Sequence, residues 1–262
     1  YPPGFPPMLL CLVAALLTAL PADVRFSEWC LRNKIFSSPH VGAITTTKSV
    51  ACRGLFTLSE GVKRNDVLAV IPRGLVLTSA DGKDWAGDIA SKAKEAEGKI
   101  AEWVETWEGG YKEEMAARAP ENVREHLKRK VERRHVRWIE SRKKYPGLDE
   151  ADFGLYNVVW SRACYLGEVW NNEIGVVPFF DMLNHGGRED ENVRLCPVGE
   201  ARAKMGNDMG EVSNKVPPEL DDRDMLLIAT KDIPPESELF TCYINENERA
   251  QGIERDEELA RR

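Results

Sequence analysis

The six cysteines, Cys11, Cys30, Cys52, Cys164, Cys196 and Cys242, contain no C-x-x-C pair. That absence argues against a structural zinc site and against a dense disulfide scaffold, both of which need closely placed thiols. Scattered thiols read instead as reduced, partly buried small hydrophobes. Histidine is equally scarce, with only His40, His126, His135 and His185. His126 and His135 lie nine residues apart, which is not the spacing of two ligands to one metal ion. No G-x-S-x-G, H-E-x-x-H, Walker or G-x-G-x-x-G string occurs. The common hydrolase, zinc-protease and nucleotide-binding signatures are therefore missing. An excess of basic charge is missing as well. The 36 Lys and Arg face 43 Asp and Glu, for a net charge of -7. General nucleic-acid binding needs the opposite balance, because phosphate contacts dominate affinity.

An apolar run long enough to span a bilayer is also lacking. Residues 8–20, MLLCLVAALLTAL, supply thirteen near-apolar positions, short of the roughly 20 a spanning helix needs. The run fits the apolar part of a secretory or organelle-targeting leader over residues 1–22, with cleavage expected after Ala22. Without such a leader the expected compartment is cytoplasmic or nuclear. What the chain does have is 42% hydrophobic residues, enough to bury a core and too many for long disorder.

Short β runs open the folded part. Val41–Thr45, Gly54–Leu58, Val67–Ile71 and Val76–Thr78 recur at about ten-residue spacing, with Gly and Pro between them. The pattern changes near Asp81. Trp85, Ile89, Ala93, Ala96, Ile100, Trp103, Val104 and Trp107 recur at steps of three and four, predicting one amphipathic helix closed by Gly109-Gly110. Val123, Leu127, Val131 and Trp138 predict a second helix, closed by Pro146-Gly147. A third is predicted over 152–169, with Leu155, Val159 and Leu166 inward. Strand character returns at Ile174–Val177, Met225–Ala229 and Leu239–Tyr243, and 199–223 reads as a long polar loop. Helices set between two β segments predict one α+β core with a helical insert.

Residues 124–144 hold ten Lys or Arg against three Glu, so the remainder of the chain carries -14. The run reads as a solvated helix face or as a docking surface for an acidic partner. Nucleic-acid binding fits less well, since no aromatics interleave on the charged face. The segment most able to do chemistry is 177–185, VPFFDMLNH. An apolar strand end there meets Asp181 and then Asn184-His185, in a turn that can present an amide as donor and acceptor. An ordinary strand-exit turn has the same residue pattern. Upstream, Trp160-Ser161-Arg162 sits in a mostly apolar helix, where an Arg either snorkels or anchors an anion. Gly54 permits close backbone approach, and Tyr243 ends an apolar strand.

Taken in order, these pieces resemble the SET-domain protein methyltransferases, most nearly the Rubisco large-subunit lysine methyltransferase group and its non-histone relatives. The resemblance rests on Arg53-Gly54-Leu55, Ile71-Pro72, Ser161-Arg162, the string Pro178-Phe179-Phe180-Asp181-Met182-Leu183-Asn184-His185, and Tyr243. It implies an α+β fold of several short antiparallel sheets with a threaded C-terminal strand. It implies a SET core over 23–80 and 151–245, a helical insert over 81–150, and a charged tail over 246–262, with no counterpart of the group's C-terminal substrate-binding domain. It implies S-adenosyl-L-methionine as cofactor, held by Gly54, Arg162, Asn184 and His185 with Asp181 positioning the turn, and Tyr243 as the catalytic tyrosine. The implied reaction is methyl transfer to a lysine of a non-histone protein. No metal is expected. Cys52 stands where the group commonly has Gly, and Ile244 where Gly commonly follows the tyrosine. Those departures keep a non-catalytic SET-like interaction module, or transfer to another side chain such as histidine, as competing expectations.

Overall fold

The computed structural model describes residues 22–38, 41–46, 52–107, 121–186, 189–203 and 219–241. The expected leader up to residue 21, Tyr243 and the tail beyond it lie outside the described residues. So does the passage of the chain beyond Thr241, on which the expected threading depends.

The chain enters through helix α1 (Ala22–Arg32), which periodicity did not predict. Its Phe26 and Trp29, one turn apart, are both buried. Strands β1 (Phe36–Ser37), β2 (Val41–Thr46), β3 (Cys52–Thr57), β4 (Val67–Ile71) and β5 (Leu77–Ser79) follow. The insert holds α2 (Trp85–Lys94), α3 (Gly98–Val104) and α4 (Glu121–Lys144). Then come α5 (Phe153–Arg162), β6 (Cys164–Tyr165), β7 (Ile174–Val176), β8 (Asn184–His185), β9 (Val193–Pro197), α6 (Val198–Ala203), β10 (Met225–Ala229) and β11 (Phe240–Thr241).

The largest sheet has the order β1-β4-β10-β9, with every neighbour antiparallel. Strand β10, MLLIA, is buried at all five positions. A strand covered on both faces needs apolar residues throughout rather than in alternation. Met225, Leu227 and Ala229 join the main core, while Leu226 and Ile228 pack with Cys196, Val198 and Ala201 on the other face. This is the two-residue alternation of a strand. Smaller sheets pair β2 with β3, β5 with β7 and β6, and β8 with β11. The last pair is parallel, Asn184 opposite Phe240 and His185 opposite Thr241. The result is an α+β fold of several small, mostly antiparallel sheets.

Three predicted elements change. The single helix expected over Trp85–Trp107 is two, because the chain leaves the helix after Lys94 and Gly98, the first residue of α3, takes a left-handed φ of +57°. The helix expected over 152–169 ends at Arg162, where Ala163 turns extended so that β6 can pair with β7. Part of the loop expected over 199–223 is helical, since α6 runs to Ala203. Among the described residues no helix is long and apolar enough to cross a membrane.

The basic run on α4 is partly consumed inside the molecule. Arg134 and Arg137 lie over the Trp160 ring, at 5.7 and 5.3 Å from its centroid. Arg142 pairs with Glu150, and Lys144 with Asp81. Trp138 is fully buried against Tyr156, ring centroids 5.0 Å apart. Lys128, Arg129, Arg133 and Lys143 are exposed, with Lys143 2.7 Å from Glu140 on the same helix.

Asp81 ties the far end of α4 to the start of α2. Its carboxylate accepts from Lys144 and from the Tyr145 hydroxyl at 3.0 Å. It also accepts from the Lys83 and Asp84 amides at 3.1 and 3.2 Å. Lys144 first, then those amides, hold the carboxyl far below its ordinary value of 3.8. Burial, with the bond to Asp81, pushes the Tyr145 hydroxyl up to about 12. Next to this tie, Asp84 caps α2 by accepting from the Gly87 amide at 3.2 Å, and the buried Ser141 donates to Asp84 at 2.7 Å. A depressed carboxyl stabilises the fold fully above its unfolded value and loses that contribution as pH falls through the folded value. The Asp81 contribution is therefore complete at neutral pH and begins to decline only as the pH falls below 3.8. Thermal melts should show Asp81→Asn less stable than the parent at pH 7, with the difference shrinking as the pH is taken below 3.

Candidate functional site

Strand β3 presents Gly54 at a crowded junction. A Cβ there would come within 2.9 Å of Glu238 Oε1, 3.0 Å of Asn184 Nδ2 and 3.2 Å of the Phe56 ring. Only glycine lets these three approach the backbone so closely. Asn184 Nδ2 donates to Glu238 Oε1 at 2.6 Å. Glycine of β3, the amide of β8 and the carboxylate preceding β11 thus meet at one point, although they are far apart in the chain.

The segment 237–241 is bonded along both edges. On one edge Thr57 N donates to Ser237 O at 2.9 Å, and Leu239 N to Leu55 O at 2.8 Å. The buried Thr57 hydroxyl adds a bond to Pro234 O at 2.6 Å and accepts from Ser237 N at 2.9 Å. On the other edge Asn192 donates through Nδ2 to Glu238 O at 2.9 Å, and its Oδ1 accepts from Phe240 N at 2.8 Å. Gly186 N reaches Thr241 O at 3.1 Å. Buried peptide groups must find partners, and here three separate elements supply them.

The turn before Asn184 carries the charged part of the site. Asp181 Oδ2 accepts from Arg162 Nη1 at 2.8 Å, with the Asp side chain 1% and the Arg side chain 13% exposed. A buried pair of this kind is costly to form and far costlier to break on one side. Its geometry depends on Phe179, which takes φ 73° and ψ -48°. A bulky residue with positive φ is strained by about 1–3 kcal/mol. The strain is held by burial of the Phe179 ring, stacked 6.3 Å from Phe26, and by the bond from Asp181 N to Val177 O at 2.9 Å. The Trp107 ring centroid lies 5.8 Å from Arg162 Cζ.

Of the residues singled out from the sequence, Gly54 meets Asn184, and Arg162 pairs with Asp181, three residues before Asn184 in the chain. His185 takes its place on β8 by backbone register with Thr241. Tyr243 lies outside the described residues. Sequence reasoning missed Glu238, Asn192, Thr57 and Trp107. Asn192 and Glu238 are single polar residues in charged surroundings with nothing local to mark them. Trp107 read as the last member of a helical stripe.

No protein-family model matches the chain, and no curated protein matches it in sequence. Solved structures do. A crystal structure of the SET domain of LSMT bound to lysine and AdoHcy superposes with a TM-score of 0.53 at 15% identity, over 86% of this chain and 54% of that one. Rubisco LSMT bound to AdoMet superposes with a TM-score of 0.51 at 13% identity, over 87% of this chain and 54% of that one. The chain therefore spans about half the length of the structures it resembles. The fold is that of a SET domain.

Two outcomes test the site's construction. Arg162→Met leaves a buried carboxylate without its cation and should cost about 3–5 kcal/mol, measured by urea unfolding. Adding Asp181→Asn should recover most of that loss. Gly54→Ala should push the Glu238 carboxylate off Asn184, costing only about 1–3 kcal/mol because two flexible side chains give way. The Asn184 side-chain amide resonance in a nitrogen-15 spectrum should move accordingly.

Proposed function

We propose that the chain is an S-adenosyl-L-methionine-dependent protein-lysine N-methyltransferase of the SET class, acting on a non-histone protein. The observation that carries the reading is the pairing of Arg162 with Asp181, three residues before the Asn184 that meets Gly54, set in a SET-domain fold. The residues present suit a zwitterionic nucleoside cofactor. Gly54 lets Asn184 and Glu238 pack directly against the backbone, where a single methyl group would collide with them. Arg162 is the charge that would receive a carboxylate, by a charge-assisted bond. Asp181 holds that guanidinium from behind, so orientation does not have to be found on binding. Asn184, on a strand fixed by β11, would offer its amide to polar atoms of the cofactor. The backbone of His185 continues the same wall.

When bound, the cofactor supplies an electrophilic methyl group on a sulfonium. The chain's part is to align the acceptor amine with it and to keep that amine neutral. A free lysine has a pKa near 10.4, and apolar surroundings lower it by disfavouring the cation. Tyr243 is assigned the task of orienting the amine with its hydroxyl. The exposed Lys128, Arg129, Arg133 and Lys143 of α4 are assigned to docking an acidic partner.

Calorimetry should detect S-adenosyl-L-methionine binding to the purified chain, and labelled cofactor should mark a lysine-bearing protein in a cell extract. Tyr243→Phe should lower methyl incorporation by roughly 100-fold or more while cofactor binding stays near that of the parent. Absence of cofactor binding at millimolar concentration would sink the reading. Binding without methyl incorporation would leave an interaction module in its place.

A further inference from the structure

Arg162 is held from two sides. Asp181 takes its Nη1 at 2.8 Å, and the Trp107 ring faces its guanidinium carbon at 5.8 Å. Trp107 follows α3 in the helical insert. It meets Trp103 edge-on with centroids 5.0 Å apart, and Trp103 stacks on Trp29 of α1 at 5.9 Å. Trp29 stacks on Phe26 at 6.1 Å, and Phe26 on Phe179 at 6.3 Å. Phe179 is the strained residue two places before Asp181. The aromatic series thus leaves the arginine, crosses the insert and α1, and returns to the turn that carries the arginine's carboxylate partner. Two further contacts fix α1 on the insert. The Trp29 indole donates to Lys99 O at 2.6 Å, and Arg32 pairs with Glu102 at 2.9 Å.

We infer that Trp107 is a positioning residue for Arg162, and that the insert through it sets the affinity of the site for the carboxylate end of the cofactor. The physical argument is directional. An ion pair with a carboxylate oxygen places one nitrogen of a guanidinium more strongly than it sets the plane of the group. An aromatic face favours a cation over its centre and so fixes the plane. Both constraints together orient the guanidinium N–H donors, which form a rigid fork. The Trp107 indole N–H has no acceptor among the described residues, so the contribution assigned to this side chain is its ring face.

The inference rests on the cofactor reading above, and the test separates the two. Binding of S-adenosyl-L-methionine and of 5′-methylthioadenosine, which lacks the carboxylate, is measured by calorimetry on the full chain. Trp107→Ala should weaken the first by about tenfold and leave the second within twofold. Trp107→Phe, which keeps a ring face and discards the N–H, should hold both within about threefold, since any ring face carries most of the attraction. Trp107→Leu carries the same expectation as alanine should alanine fail to fold. In an Arg162→Met background, Trp107→Ala should cost no further affinity, because coupled residues are not additive. Equal weakening of both ligands, or of neither, overturns the inference while the cofactor reading stands. No binding of either ligand by the parent chain overturns both.

Discussion

The segment 237–241 is the constraint on which the site depends. Its peptide groups are bonded by β3 on one edge and by Asn192 and the 184–186 region on the other. A buried strand without those bonds would leave several peptide groups unsatisfied, at about 1–3 kcal/mol each. The segment therefore cannot settle until an early strand and a late turn are both in place. Once it does, Glu238 is delivered onto Asn184 and Gly54. The site is a by-product of satisfying a backbone that no single neighbour could satisfy.

Asp181 and Arg162 add a second, electrostatic constraint. A carboxylate that is almost wholly buried is tolerated because a cation meets it at hydrogen-bond distance. The turn that places it includes a phenylalanine in a backbone region that suits glycine. Aromatic packing against α1 holds that conformation. Strain, a buried charge and a close glycine approach thus occur within a few residues of one another. Such departures from local preference gather where a fold serves binding rather than stability alone.

Much of the fold was legible in the chain. Val67–Ile71 and Met225–Ala229 were predicted with the bounds they have, because continuous apolar runs bounded by polar turns admit few other readings. The amphipathic stripe from Trp85 was also read correctly as helical. Its interruption at Gly98 was not, since periodicity of buried positions survives a break that a left-handed glycine makes. The short strands β6 and β8, two residues each, leave no periodic trace at all, whereas β11 falls inside the apolar run expected at Leu239–Tyr243. Helix α1 was hidden by its place beside an apolar leader-like run. The basic stretch on α4 looked like uniform surface charge, yet Arg134 and Arg137 spend theirs on Trp160. Sequence cannot separate a solvated arginine from a stacked one, because both need the same residue at the same helical position.

By itself the sequence determined the α+β alternation, the candidate glycine, arginine and Asp-x-x-Asn-His string, and the absence of the common metal and nucleotide motifs. These depend on residue type and local spacing. Tertiary structure alone decided that Glu238 belongs beside Asn184 and Asn192 beside the 238–240 backbone, that Asp181 is the partner of Arg162, and that Trp107 of the insert faces the same arginine. Each of those pairings joins residues that only the folded sheets bring together. No local propensity encodes such contacts, and burial alone makes them strong.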